Sequence, residues 1–151
     1  MSPVAATSKA DLMKQVNLNL VTAFLCCGAA VNAMAGGGGR IVNVSSVSAF
    51  TGHPDLWYGI TKAGILNLTK SWARALGPHG TLVNAVAPGP TETQMYDQLP
   101  QSRRDEVLRS VYAGRVCKPQ EVAEAIFWLG STSPEYVNGS TLDVNSGSYP
   151  R

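Results

Sequence analysis

Two short apolar segments separated by a predicted helix constrain the fold of this chain more than any other feature. The first segment, Arg40–Ser46, predicts a strand over Ile41–Ser45, and the second predicts a strand over Thr81–Ala87. Residues 56–76 between them predict a helix, which the Gly77-Pro78-His79-Gly80 turn ends. The order strand, helix, strand is typical of an open α/β sheet, and such sheets bind ligands where their strands end.

The rest of the chain fits the same fold class. We expect a long helix from Lys9 to Met34, and a glycine run, Gly36–Gly39, that turns the chain into the first strand. Further helices are predicted over Arg104–Tyr112 and Pro119–Leu129, and a last strand over Ser140–Val144. With 44% apolar and 15% charged residues in 151, the sequence predicts one domain, residues 1–151, with a parallel sheet and helices on both faces.

Tyr58 and Lys62 form the most informative pair of polar residues. They stand four residues apart, so on a helix both side chains lie on one face. A neighbouring ammonium favours the ionised form of a phenol. Such a phenol can donate and accept a proton near neutral pH. The pair alone is common by chance, and on an arbitrary helix it has a structural explanation.

Two further motifs accompany this pair. Ser46 directly follows the predicted first strand, twelve residues before Tyr58. The second strand and the Pro-Gly turn after it carry Val83-Asn84-Ala85-Val86-Ala87-Pro88-Gly89. Together these segments resemble the short-chain dehydrogenase/reductase family over about Asn19 to Gly147. Within that family the sequence looks most like the 3-oxoacyl-[acyl-carrier-protein] reductases and related sugar or alcohol dehydrogenases. The resemblance implies a Rossmann-like, doubly wound parallel sheet.

The resemblance also implies an activity and a set of site residues. The expected reaction is hydride transfer between NAD or NADP and a small carbonyl or secondary alcohol, with Tyr58 as proton donor and acceptor. Lys62 matches the family's lysine that contacts the nicotinamide ribose, and Ser46 matches its donor to the substrate carbonyl. Asn19 matches the family's asparagine that anchors a water chain to the lysine. The resemblance implies these catalytic residues: Asn19, Ser46, Tyr58 and Lys62. It implies these cofactor-binding residues: Tyr58, Lys62, Pro88, Gly89, Thr91 and Thr93.

Several of these assignments have alternatives. Ser46, like Ser45, could simply cap the end of its strand, and Asn17 replaces Asn19 if the alignment shifts. Asn84 is interpreted as a structural hydrogen-bonding residue of its strand. His53 lies in the loop before Tyr58, where a substrate could reach it. The polar segment 88–104 resembles a lid over a site, because long loops in compact domains are often functional.

One family feature is missing from the sequence. Neither Gly-x-x-x-Gly-x-Gly nor Gly-x-Gly-x-x-Gly occurs, although such a turn before a helix holds the cofactor pyrophosphate. The sequence therefore resembles the C-terminal half of the family fold, with the N-terminal βαβ half missing. This leaves two hypotheses: an NAD(P)-dependent oxidoreductase, or a catalytically silent fragment that acts through self-association or pairing with a full-length relative.

Composition argues against other classes of function. A net charge of +2 without basic clusters gives no support to nucleic-acid binding. Three cysteines and two histidines lack metal-ligand spacing, so no metal site is predicted and the thiols indicate a cytoplasmic protein. The uncharged stretch between Lys14 and Arg40 contains three asparagines, which favours a helix buried at an interface over a membrane span. By resemblance, a homodimer or homotetramer is expected.

Overall fold

The structure, a computed structural model, describes residues 8–34 and 38–150. Gly36 and Gly37, the first half of the glycine run, lie outside these residues. The elements follow in the order α1 (Lys9–Val16), a π-helical turn (Asn17–Val21), α2 (Thr22–Ala33), β1 (Gly39–Val44), α3 (Ser48–Thr51), α4 (Leu56–Leu76), a 3-10 turn (Gly77–His79), β2 (Thr81–Pro88), α5 (Gln94–Asp97), α6 (Gln101–Ser110), α7 (Pro119–Ser131) and β3 (Thr141–Val144).

The three strands of the described chain form one parallel sheet in the order β1-β2-β3. Gly39 pairs with Thr81 at one end of β1, and Val44 pairs with Val86 at the other. Parallel neighbours need crossover connections, which α4 supplies between β1 and β2 and α7 supplies before β3. The predicted α/β class with a parallel sheet is confirmed.

Helices cover both faces of this sheet, because successive side chains of a strand point to opposite sides. On one face, Asn43 donates through Nδ2 to Thr69 Oγ1 of α4 at 3.0 Å, and the Cys27 thiol of α2 donates to Asn43 Oδ1 at 3.4 Å. On the other face, Arg40 donates to the carbonyl oxygen of Ser133 at 2.8 Å, just after α7. The expectation of helices on both faces is therefore also met.

Helix α4 is the central helix of the core, and its buried face differs from the predicted one. The spacing of apolar residues predicts a stripe made of Ile65, Leu68, Trp72, Ala75 and Leu76. Ile65 is buried as predicted, but Leu68 and Trp72 are only half-buried. The face against the sheet also carries Thr61 and Thr69, with two hydroxyls buried among apolar groups. Thr69 satisfies its hydroxyl by donating to the carbonyl oxygen of Ile65 at 2.8 Å, so burial of this threonine leaves no unpaired donor.

The predicted boundaries differ from the structure in the connections. The single helix expected over Lys9–Met34 contains a π-helical turn, and the loop after β1 contains the one-turn helix α3. The segment 88–104, expected to be irregular, holds α5 and the beginning of α6. Short helices of this kind have too few residues for a periodic apolar pattern, so the sequence does not reveal them.

The helix formed by α1, the π turn and α2 is long and apolar enough to cross a membrane by those two criteria alone. Its outer face is exposed in the single chain: Leu18 and Leu25 are 66% and 62% accessible, and Phe24 is 51% accessible. The core helix of a soluble protein and a signal sequence satisfy the same two criteria, so these criteria are weak evidence for a membrane span. The inner face carries the polar residues Gln15 and Asn19 toward α4.

Candidate active site

The start of α4 places Tyr58 at the edge of the sheet where the strands end. Asp55 caps this helix, since its Oδ1 accepts from the backbone N–H of Trp57 at 3.2 Å and of Tyr58 at 3.3 Å. One turn later the Lys62 ammonium lies 5.6 Å from the centre of the Tyr58 ring. The two side chains therefore share one face of the helix, as their spacing predicts.

Lys62 is held in place by the end of β1. Its Nζ donates to the carbonyl oxygen of Val44 at 3.1 Å. Burial of the side chain lowers the pKa of Lys62 from its ordinary value of 10.5, because the charged form loses solvation. The bond to Val44 thus fixes a partly desolvated ammonium at the carboxyl end of β1, beside the tyrosine.

The two serines after β1 have different partners. The Ser45 hydroxyl donates to the carbonyl oxygen of Lys62 at 2.7 Å, which ties the end of β1 to α4. The Ser46 Oγ instead accepts from the backbone N–H of Ser48 at 3.1 Å and is almost fully buried. In the described chain this contact ties Ser46 to the first turn of α3 rather than to Tyr58.

Asn19 lies on the π-helical turn and faces α4. Its Nδ2 donates to Oε1 of Gln15 at 2.9 Å and to Oγ1 of Thr61 at 3.2 Å. Asn17, the alternative from sequence, is exposed, and its carbonyl oxygen accepts from the Thr22 hydroxyl within the π turn. Of the two asparagines, the structure brings Asn19 to the helix that carries Tyr58.

The segment after β2 runs beside the end of β1 and the end of β3. The carbonyl oxygen of Pro88 accepts from the N–H of Val47 at 2.9 Å, and the N–H of Gly89 donates to the carbonyl oxygen of Val144 at 2.9 Å. A Cβ at Gly89 would lie 3.0 Å from Asn145, so this close approach favours glycine. Pro88 is therefore a neighbour of the loop that begins with Ser46, and Gly89 is a neighbour of the end of β3.

The two threonines of the same segment serve the local backbone. The Thr91 hydroxyl donates to the carbonyl oxygen of Gly89 at 3.0 Å. Thr93 is exposed and caps α5, where its Oγ1 accepts from the N–H of Tyr96 at 3.4 Å. Thr91 thus stays close to the strand ends, while Thr93 is used in the first turn of the following helix.

Sequence reasoning missed three residues that contact the predicted site. Gln15 and Thr61 both bond Asn19, and Asp55 caps the tyrosine helix. Asp55 could have been found, because an aspartate directly before a predicted helix is a frequent N-cap. Asn84, interpreted as structural, is confirmed in that role: its amide bonds the carbonyl oxygen of Val137 at 2.8 Å and the N–H of Ser140 at 2.9 Å.

His53 is closer to Tyr58 than its position in the loop suggests. The two ring centres are 4.9 Å apart. The His53 Nδ1 accepts from the backbone N–H of Asp55 at 3.1 Å, so the ring is held by the turn that begins α4. The imidazole ring of His53 therefore packs beside the phenol ring of Tyr58.

These residues fit one end of a dinucleotide better than the other. Lys62 and Tyr58 place a cationic donor and a hydroxyl at the carboxyl edge of the sheet, which suits a ribose next to a nicotinamide ring. Gly39 lies at the opposite edge, as the first residue of β1. The described residues thus fit the nicotinamide end of NAD or NADP. Gly38 and Gly39, the described glycines of the run, lead into a strand and offer no helix N-terminus to a pyrophosphate.

A family model and the sequences of known proteins both match this chain. A family model described as "Enoyl-(Acyl carrier protein) reductase" matches residues 1–149. The 3-oxoacyl-[acyl-carrier-protein] reductase of Thermotoga maritima is 43% identical over 110 residues, which cover 72% of this chain and 45% of the relative.

Solved structures agree with this match. A short-chain dehydrogenase/reductase described as a glucose/ribitol dehydrogenase, from Brucella melitensis, superposes with a TM-score of 0.91 at 34% identity, covering 99% of this chain and 61% of that one. ElxO, solved with NADP bound, superposes with a TM-score of 0.87 at 27% identity, covering 98% of this chain and 62% of that one. The chain thus spans about half to three fifths of the length of the relatives it matches. It belongs to the short-chain dehydrogenase/reductase family.

Proposed function

We propose that this chain carries the proton-transfer site of an NAD(P)-dependent oxidoreductase that interconverts a small carbonyl compound and a secondary alcohol. The observation that supports this most directly is the position of Lys62. Its ammonium is held by the Val44 carbonyl oxygen at 3.1 Å and lies 5.6 Å from the centre of the Tyr58 ring. Both groups stand at the carboxyl edge of the sheet, where α/β folds bind their ligands.

Each residue has a defined task in this proposal. When bound, the nicotinamide cofactor supplies a hydride to the carbonyl carbon during reduction. Tyr58 gives its phenolic proton to the carbonyl oxygen, so that an O–H bond forms, and it takes the proton back during oxidation. Lys62 stabilises the phenolate left on Tyr58 and donates to the nicotinamide ribose.

Ser46 and Asn19 complete the proposed catalytic set. Ser46 donates to the substrate oxygen and stabilises the charge that develops there. This task requires its hydroxyl proton to point into the site, which the contact with Ser48 allows, because that contact uses only a lone pair of Oγ. Asn19 anchors solvent that leads to Lys62, and Pro88, Gly89, Thr91 and Thr93 contact the nicotinamide end.

The substrate class follows from the relatives. The curated relative from Thermotoga maritima is a 3-oxoacyl-[acyl-carrier-protein] reductase. We therefore propose a 3-oxoacyl thioester as substrate, converted in the cytoplasm to the 3-hydroxyacyl thioester. Acetoacetyl-CoA is a suitable soluble probe of this class.

Self-association is part of the proposal. Leu20, Val21 and Phe24 line an apolar groove of about 460 Å³ together with Gly64 and Leu68 of α4. Exposed apolar area of this kind marks an interaction surface. A homodimer or homotetramer would cover it, and sedimentation velocity across a concentration series would reveal the assembly.

Binding and turnover test the enzymatic proposal. NADH and NADPH are titrated into the purified chain, with thermal shift and cofactor fluorescence as readouts, and acetoacetyl-CoA reduction is then followed. Tyr58→Phe should reduce turnover by roughly 10²–10⁴-fold, since it removes the proton donor. Tyr136→Phe is the matched control, because Tyr136 is fully exposed. Absence of saturable binding below millimolar concentration would contradict the proposal.

A second function, that of a catalytically silent pairing module, is favoured by one observation. Within the described residues β1 hydrogen-bonds a strand on one side only, that of β2. Val44 on this strand is 43% accessible, and unpaired edges of apolar strands readily pair with another chain. Stable association with a full-length family member, without turnover by this chain itself, would support this function instead.

A further inference from the structure

A closed ring of hydrogen bonds joins Asn19 to both sides of the Tyr58 backbone. On one route, Asn19 donates to Gln15 Oε1 at 2.9 Å, and Gln15 Nε2 donates to Asp55 Oδ2 at 3.2 Å. Asp55 Oδ1 in turn accepts from the N–H of Tyr58 at 3.3 Å. On the other route, Asn19 donates to Thr61 Oγ1 at 3.2 Å, and the Thr61 hydroxyl donates to the carbonyl oxygen of Tyr58 at 2.9 Å.

The charge of Asp55 sets the direction of every bond in the first route. An ionised carboxylate only accepts hydrogen bonds, so Gln15 must turn its NH₂ group toward Asp55. The Gln15 carbonyl oxygen then faces Asn19 and needs a donor, which can only be the Asn19 NH₂ group. The orientation of the Asn19 amide is therefore dictated by a carboxylate two side chains away.

The second route imposes the same orientation. The Thr61 hydroxyl donates its single proton to the carbonyl oxygen of Tyr58. Its oxygen can therefore only accept a hydrogen bond from Asn19. Both protons of Asn19 Nδ2 are thus used within the protein. Neither bond uses Asn19 Oδ1, which keeps its acceptor lone pairs for a ligand or for solvent.

We propose that Gln15 and Asp55 are positioning residues, which fix the Asn19 amide with its oxygen as the acceptor and hold the helix turn that carries Tyr58. This inference rests on the proposed function, because it assigns Asn19 and Tyr58 to the reaction. Gln15 and Asp55 are both half-buried and separated by 40 residues in sequence, so their contact joins two elements of the fold.

The two oxygens of Asp55 have separate tasks, which makes the proposal testable. In Asp55→Asn the amide oxygen can still cap α4, since asparagine caps helices about as well as aspartate. Its NH₂ group, however, now meets the Gln15 NH₂ group. Relief requires Gln15 and then Asn19 to turn over, and the Thr61 hydroxyl must leave the Tyr58 carbonyl oxygen to donate to Asn19.

Exchanging the amide and the carboxylate between positions 15 and 55 should restore the original direction of the hydrogen bonds. In Gln15→Glu alone two carboxylates face each other, which disfavours the contact. In the double variant Gln15→Glu/Asp55→Asn, the new asparagine donates to the new glutamate, and the other glutamate oxygen again accepts from Asn19. Gln101 and Asp105 supply a matched control, because Gln101 Nε2 donates to Asp105 Oδ1 at 2.8 Å on the exposed surface of α6.

The experiment measures the Asn19 side-chain amide and the catalytic rate in parallel. The Asn19 NH₂ resonances are identified in a ¹⁵N-labelled chain by their loss in Asn19→Asp. Rates are measured with NADPH and acetoacetyl-CoA. Both single variants should shift these resonances and lower kcat by roughly tenfold, as expected for a small misplacement of catalytic groups, with a smaller change in KM.

The double variant decides between positioning and general destabilisation. It should return the Asn19 resonances and kcat to near the unmodified values, whereas the same exchanges at Gln101 and Asp105 should leave the Asn19 resonances unchanged throughout. Unaltered Asn19 resonances in Asp55→Asn, or a double variant no better than the single variants, would overturn the proposal. If the unmodified chain shows no turnover, the proposed function fails, and the resonances alone still decide whether Gln15 and Asp55 orient Asn19.

Discussion

Two hydrogen-bonded clusters of this molecule differ in how far their bonds reach along the chain. Around Tyr58, the contact between Gln15 and Asp55 spans 40 residues, and that between Asn19 and Thr61 spans 42. Before α7, Arg115 donates to Glu121 at 2.7 and 2.8 Å across only six residues. The first cluster fixes the relative position of several elements, whereas the second shapes the start of one helix.

Charge is also treated differently in the two clusters. Near Tyr58, burial lowers the pKa of Lys62, because the protein gives the ammonium less solvation than water does. At α7, the hydrogen bonds from Arg115 and from the Lys118 backbone lower the pKa of Glu121 to about 2. We infer that the long-range cluster tunes reactivity and that the local cluster contributes to stability.

The largest effect is expected from Lys62→Met, which removes the ammonium but keeps most of the side-chain volume. Turnover of acetoacetyl-CoA should fall by roughly 100-fold or more, because Tyr58 loses the cation that favours its ionised form. Initial rates at saturating NADPH measure this loss. Lys70→Met, on the exposed side of the same helix, is the control and should retain full activity. Equal rates in both variants would remove Lys62 from the mechanism.

Thr61→Val should affect both stability and activity. Thr61 is 1% accessible, and valine has nearly its shape but offers nothing to Asn19 or to the Tyr58 carbonyl oxygen. We expect a loss of about 1–3 kcal/mol in the free energy of unfolding, the cost of unpaired buried groups. Misplacement of Tyr58 and Asn19 should lower kcat by roughly tenfold.

Urea denaturation and steady-state rates check both effects of Thr61→Val. Thr51→Val is the control, because the Thr51 hydroxyl serves only its own exposed turn. That variant should change the free energy of unfolding by no more than about 0.5 kcal/mol. If Thr61→Val behaved like Thr51→Val, the hydrogen bonds that join Asn19 to the Tyr58 backbone would make no measurable contribution to the free energy of unfolding.

The contrast between the clusters also explains what the sequence reveals. The predicted start of α7 at Pro119 with Glu121 close behind is found in the structure, because the interactions that begin a helix lie within a few residues. The strands β1 and β2 are likewise predictable from their apolar runs. Tyr58 and Lys62 come from spacing on one helix, which is again local information.

Contacts between distant segments could not be predicted in this way. Nothing in the sequence near Gln15 shows that it meets Asp55, and the family resemblance points to Asn19 without its partners. The buried face of α4 differs from the predicted stripe for the same reason. Thr61 and Thr69 are polar, and their burial is tolerated because Asn19 and Asn43, which belong to other segments, donate hydrogen bonds to their hydroxyl oxygens. Side-chain partners across a fold depend on packing, which periodicity does not encode.

The local cluster should respond to pH and leave catalysis unchanged. The pKa of Glu121 is lowered from 4.5 to about 2, so its contribution to stability is present above pH 4.5 and is lost as pH falls toward 2. Glu121→Gln should therefore be less stable at pH 7 and lose less stability on acidification. Thermal unfolding between pH 7 and pH 2 measures this difference.

Glu106→Gln is the control for that comparison. Glu106 forms an exposed ion pair with Arg103 one helical turn away, and such pairs contribute little. Its pH profile should follow that of the unmodified chain more closely than Glu121→Gln does. A Glu121→Gln profile with an unchanged acid limb would show that the cluster before α7 does not hold its carboxylate in the ionised form.

The smallest effect is expected from Asn17→Ala, which tests whether the site uses Asn19 alone. The Asn17 side chain is exposed, and the contact that it makes within the π turn uses its backbone carbonyl oxygen, which alanine retains. Stability should change by less than about 0.5 kcal/mol, and kcat should stay the same. Asn19→Ala should lower kcat, because the hydrogen bonds from the Asn19 side chain to Gln15 and Thr61 disappear. Rates and urea midpoints of the two variants, measured side by side, distinguish the two asparagines; a comparable loss of kcat in Asn17→Ala would mean that the whole π turn, rather than one amide, supports the site.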